Sequence, residues 1–128
     1  MSVFSWTTTL ATAAFFGAMS VALGAFAAHG LKHRLDDYAK AIWETATHYQ
    51  MYHALALLVL AFFIKQSDDA LLKWSALSFT LGILFFSGSL YVLALSQLRW
   101  LGAITPIGGI ALLIAWGLLF VVAIRSAA

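Results

Sequence analysis

The chain has 128 residues, 63% of them hydrophobic and only 9% charged, with a formal net charge of +2. A soluble domain carries roughly 25% charged residues, so a surface this poor in charge excludes water as the main solvent and leaves lipid. No Lys/Arg cluster suits a phosphate backbone, which argues against nucleic acid as a partner, and without cysteine there is neither a disulfide framework nor thiolate chemistry.

Four stretches lack any formal charge: residues 1–31, 45–64, 74–98 and 100–124. Each reaches the ~20 residues that a helix needs to cross a hydrocarbon core. Short connections force sequence neighbours to pack antiparallel. The expected fold is therefore all-α: a four-transmembrane-helix antiparallel bundle, up-down-up-down, forming a single integral membrane domain over 1–128. Its spans are expected at about 6–28, 42–64, 74–97 and 102–124. Trp6, Trp43, Trp74 and Trp100 stand at or just before the start of each helix, where amphipathic rings favour the headgroup region. Trp116 alone sits mid-span.

Helix 1 carries Ala13, Gly17, Ser20, Gly24 and Ala28 within a narrow arc. Small residues let helices approach closely in lipid, so this stripe, with Gly17 and Gly24 in it, is expected to pack against a neighbour. Phe26, Ala27 and Ala28 resemble a signal-peptide cleavage pattern, but no Lys or Arg precedes them, which favours a retained span. The link that follows, HGLKHRLDDYAK at 29–40, is the most polar region and should lie in the interface. Gly30 suits a helix C-cap, and Asp36 or Asp37 an N-cap.

Helix 2 organises the rest. From residue 37 to 64 it would be ~42 Å long, longer than the core of roughly 30 Å, so Lys40 and Trp43 belong near headgroups and Glu44 at the border. Glu44, Thr45, His48, Tyr49, Tyr52 and His53 share half of its helical wheel, while Gln50 lies on the other side. Polar groups in lipid are expensive unless they face protein or a water-filled cavity, so this half is expected to pack against helices 1, 3 and 4. Beyond His53 the helix is wholly apolar, which confines the polar face to one leaflet.

A hydrophilic turn at 65–73 leads into helix 3. Ser75, Ser78, Gly82 and Ser89 form a second small-residue stripe there, and Ser87 and Tyr91 project from a different side. Helix 4 opens with TPIGG at 105–109. Pro106 either breaks the helix at membrane depth, beside a loosening Gly108 and Gly109, or sits harmlessly in the first turn. Lys32, Arg34, Lys40 and Arg99 on one side outvote Lys65, Lys73 and Arg125 on the other, which favours a cytoplasmic first loop and external termini.

No nucleophile–base–orienter pattern appears among the serines. The pairs Asp36–Asp37 and Asp68–Asp69 lie in turns, where capping is the ordinary role. His48 and His53, five apart, cannot aim at a common metal from one helix as an i,i+4 pair can. Histidines tied to Tyr, Ser or backbone partners across the bundle are the favoured alternative to metal ligation, haem ligation or proton handling.

The motifs GAFAAHGLK (24–32), Trp43 with Thr45-Ala46, Tyr49, His53-Ala54, FSGSLY (86–91) and TPIGG (105–109) run in order over nearly the whole chain. In these the chain resembles the YgdD-like family of small four-helix inner-membrane proteins, a domain-of-unknown-function family shared with a small eukaryotic transmembrane protein. Ala27 departs from the glycine more usual there, which bears on how tightly helix 1 packs. The resemblance implies a four-span protein of the bacterial inner (plasma) membrane and no established activity. It marks His29, Tyr49, His53, Ser87, Ser89, Tyr91 and Thr105, to which the wheel of helix 2 adds His48, as a ligand-binding site or polar network. The expected role is non-enzymatic, either as an accessory subunit or as a binder of lipid or a small ligand, without cofactor or metal. Its partners would be membrane lipid, another membrane protein or a second copy. A proton-linked or small-solute transporter using the polar face of helix 2 is the alternative.

Overall fold

The computed structural model describes residues 3–128. Four helices follow in order: α1 (Trp6–His29), α2 (Asp37–Gln66), α3 (Ala70–Ser96) and α4 (Thr105–Ala127), with a 3-10 segment at Arg99–Ala103 before α4. All four spans are long and apolar enough to cross a membrane. Asp36 caps α2 by accepting the Ala39 N–H at 2.7 Å, and Asp69 caps α3 by accepting the Leu71 N–H at 2.9 Å. Gly30 closes α1, its N–H bonded to the Phe26 carbonyl. Pro106 stands in the first turn of α4, where its missing N–H has no intrahelical acceptor to lose. The harmless placement is the observed one, and no break occurs at membrane depth.

The helices are antiparallel, as their contact registers show. Leu23, Ser20 and Phe16 of α1 meet Trp43, Thr47 and Gln50 of α2 in reverse order. Trp43, Tyr49 and His53 of α2 meet Tyr91, Phe86 and Phe79 of α3 in the same way. Ser75, Gly82 and Ser89 of α3 descend along Ala115, Leu112 and Thr105 of α4. Extended packing runs from α1 to α2, α2 to α3 and α3 to α4. The central pair is thus α2 and α3, each with 44% of its most apolar window buried, against 17% for the flanking α1 and α4.

A seam at alternating four- and three-residue steps explains why α2 is central. Ala39, Trp43, Ala46, Gln50, His53, Leu57, Leu60 and Ile64 are all buried along it. This is the spacing that keeps one helix face against its neighbours. The apolar leaflet is filled by Leu57, Leu60 and Ile64 with Leu72, Ala76, Phe79 and Ile83 of α3, plus Ala13, Phe16, Leu112 and Ala115 from the flanks.

One expectation about packing is corrected and another is sharpened. Trp43, expected near the headgroups, turns its ring into the bundle. It is 3% exposed, set edge-on to Tyr91 at 4.8 Å, and its indole N–H donates to the Leu23 carbonyl at 2.9 Å. Gly17 and Gly24 do not touch a neighbouring helix, since a Cβ at either would meet nothing within 4 Å. The arc of α1 that faces α2 is centred on Thr9, Ala13, Phe16 and Ser20, which leaves the glycines on its shoulder. Gly82 does sit in a contact, with Leu112 against it. The tightest approach is at Gly108, where a Cβ would collide with the Phe86 backbone and lie 2.7 Å from the Phe85 carbonyl carbon.

Candidate functional site

The polar half of the membrane interior is built around Gln50, which bridges three helices. Its amide N–H donates to the Phe16 carbonyl at 2.9 Å and its carbonyl oxygen accepts the Tyr91 hydroxyl at 2.6 Å. Around it, side-chain donors reach carbonyls of the neighbouring helix, Ser20 to Thr47 at 2.7 Å and Ser87 to Ala46 at 2.8 Å, and in the other half of the bundle Ser75 reaches Ala115 in the same way at 2.9 Å. Each carbonyl keeps a second lone pair beyond its intrahelical bond, and small residues at the crossings let the donors reach it. Ser89 donates to the Phe86 carbonyl at 3.0 Å, which leaves the Thr105 hydroxyl to donate to Ser89 at 2.7 Å. Among the described residues no buried side-chain polar atom lacks a partner.

This arrangement gathers Ser87, Ser89, Tyr91 and Thr105 into the interior, and separates the rest. His29 ends α1, exposed. Glu44, Thr45, His48 and Tyr52 also point outward, with His48 and Glu44 only 3.9 Å apart. Tyr49 is 41% exposed, its ring lying on Phe86 at 4.7 Å. Of this half of the wheel, expected to pack inward, only His53 is buried, and Tyr49 lays one ring face on α3 while staying partly exposed. A wheel ranks faces by polarity, whereas close helix contact selects the face carrying Ala39, Ala46 and Ala54, and Gln50 belongs to that face. Its signal was the four-three spacing rather than polarity.

Two grooves border the network. One, of about 460 Å³, runs between α1 and α2 at their polar end, with Lys32, Lys40, Glu44 and His48 among its lining and Gly24, Ala27 and Ala28 as its small-residue wall. The other, of about 440 Å³, lies between α2 and α4 and is lined by Tyr49, His53, Phe86, Pro106, Gly109 and Trp116, among others. Below His53 the interior is mainly apolar, with Leu57, Leu60 and Phe79 fully buried and the buried Thr9 and Ser75 hydroxyls each bonded to a carbonyl. No trio of metal-ligating side chains converges among the described residues.

Residues 23–109 match the family described as Protein of unknown function (DUF423). The chain belongs to this family. It is 50% identical over 109 residues to a UPF0382 membrane protein of Staphylococcus epidermidis, covering 85% of this chain and 88% of the relative. It is 48% identical over 103 residues to UPF0382 membrane protein SH2409 of Staphylococcus haemolyticus, covering 80% and 84%. It is 44% identical over 108 residues to UPF0382 membrane protein YwdK of Bacillus subtilis, covering 84% and 88%. No solved structure matches. The matched segment runs from Leu23 through Gly109 and so takes in both grooves' polar walls, Gln50 and the Gly108 crossing. With bacterial relatives named as membrane proteins and four helices able to span, this member of the DUF423 family is a small integral membrane protein. None of these names is enzymatic.

Proposed function

We propose that the protein is a non-enzymatic membrane protein that binds a phospholipid in the α1–α2 groove. One observation carries this reading: a cationic mouth stands directly above a small-residue wall. Lys32 and Lys40 reach the groove from the interfacial link and the first turn of α2, at headgroup level, and Gly24, Ala27 and Ala28 line it on the membrane side. The open space at Gly24 gives room for an acyl chain, and the lysines match a phosphodiester. Glu44 and His48 line the same groove beside them. The polar network one helix face away is fully paired and acts as the frame that holds α1 and α2 at this spacing. The interior beyond His53 speaks against the transport reading, because among the described residues the buried hydroxyls there, Thr9 and Ser75, are already paired and offer a hydrated solute no lining.

A lysine near the surface contributes about 1 kcal/mol toward an anionic headgroup, so two correspond to roughly thirtyfold in affinity. Native mass spectrometry of delipidated protein titrated with phosphatidylglycerol or with diacylglycerol tests this. Phosphatidylglycerol should remain bound and diacylglycerol should not, and the double variant Lys32→Ala/Lys40→Ala should lose most of the adduct. Equal retention of both lipids, or no change in the variant, would refute the reading.

A further inference from the structure

The α2–α4 groove carries a feature that the lipid site does not use. His53 is 7% exposed, and its Nδ1 lies 2.7 Å from the Tyr49 carbonyl. A carbonyl can only accept, so Nδ1 holds the ring proton and the neutral ring keeps a bare lone pair at Nε2. That lone pair has no hydrogen-bond partner among the described residues, yet it is not sealed in, and the ring lines the groove. An acceptor at this depth therefore faces a cleft that opens toward the acyl chains.

Depth restricts what can supply the donor. His53 stands thirteen residues after Lys40 and twelve before Lys65, so at 1.5 Å per residue it lies roughly 20 Å and 18 Å from the two charged ends of α2. That is near the middle of a hydrocarbon core ~30 Å thick, out of reach of a phospholipid headgroup. The walls are otherwise rings and aliphatic groups, with the Tyr49 hydroxyl and the Trp116 indole N–H the other polar side-chain atoms of the lining among the described residues. Among the described residues no charged side chain lines the groove, which disfavours an ionic ligand. The walls favour a flat ring: Phe86 lies on Tyr49, Trp116 stands edge-on to Phe79 at 5.1 Å, and its ring centre is 6.1 Å from that of His53. Offset and edge-to-face contacts with aromatic walls are what another ring would gain.

We propose that this groove binds a phenolic ring carried on a hydrocarbon tail, the phenol O–H donating to His53 Nε2 and the tail leaving between α2 and α4 into lipid. Gly109 leaves the space for the ring: a Cβ there would meet only the Phe86 ring, at 3.8 Å, so a larger side chain fills the cleft without driving α3 and α4 apart.

The test uses the full chain in detergent with 4-nonylphenol and its methyl ether, 4-nonylanisole, which has the same ring and tail but no donor. Wild type should bind the phenol at least tenfold more tightly than the ether, and the phenol should shift the nitrogen resonance of His53 Nε2. His53→Phe should bind the two equally, and Gly109→Leu, with unchanged helix content, should bind neither. Equal affinities in wild type, a preference surviving His53→Phe, or binding surviving Gly109→Leu would each overturn the proposal. Because the ether comparison needs no substitution, it decides the matter even where a variant fails to fold.

Discussion

Gln50 shows how one side chain can hold three membrane helices together. Its donor and acceptor are both committed, to Phe16 of α1 and Tyr91 of α3, and the burial of each partner makes a single truncation expensive. Removing one member of a buried pair leaves the other unsatisfied, at about 1–3 kcal/mol, whereas replacing both with apolar groups is close to neutral. Gln50→Leu and Tyr91→Phe should each destabilise by that amount, and the double variant should cost clearly less than their sum. Unfolding of the four proteins in mixed micelles measures this coupling; strictly additive losses would show that the Tyr91–Gln50 bond contributes nothing. Of the polar residues that share half of the helical wheel, Glu44, Thr45, His48, Tyr49 and Tyr52 are exposed and His53 alone is buried. Polarity marks residues that need partners or headgroups, but a single helix does not reveal where its neighbours stand.

At the scale of the element, the helix ends followed from local chemistry. Asp36 and Asp69 cap α2 and α3 as their positions before apolar runs suggested, and Pro106 took the first turn of α4. Asp69 does more than cap, since its second carboxylate oxygen pairs with Arg125 near the end of α4. The Leu71 N–H first, and then Arg125, hold its pKa below the ordinary carboxylate value. A carboxyl with a depressed folded-state pKa stabilises fully above its unfolded value, about 3.9, and loses that contribution as pH falls through the folded one. Asp69→Asn keeps a capping oxygen without the charge. Thermal unfolding between pH 7 and pH 2.5 should therefore show wild type above the variant near neutrality, with the gap closing below about pH 4. A gap that stays constant across this range would mean that the charge plays no part.

At the scale of the whole molecule, stability depends on which helix crossings are close. α4 is held along α3, and the crossing at Gly108 has no room for a methyl group, while Gly17 on α1 faces open space. Forcing a methyl into a packed interface costs about 1–3 kcal/mol. Gly108→Ala should lose that much in a micelle unfolding assay, Gly82→Ala less because its two nearest obstacles are Leu112 side-chain atoms and the Leu112 backbone nitrogen stands 3.0 Å off, and Gly17→Ala nothing measurable. A Gly17→Ala loss equal to that of Gly108→Ala would contradict this order. The stripes of small residues in α1 and α3 looked alike in the sequence, yet a Cβ on the α3 glycine, Gly82, would meet Leu112, while one on Gly17 or Gly24 of α1 would meet nothing within 4 Å. What the sequence determined by itself was the number of spans, their antiparallel order and their caps, because hydrophobic length, short links and capping oxygens act within one helix or between chain neighbours. Only the tertiary structure decided which glycines close a crossing, that Gln50 rather than His48 joins the helices, and that His53 keeps a free nitrogen beside a groove. Each of those depends on the rotation of one helix about its axis relative to another, and packing fixes that angle.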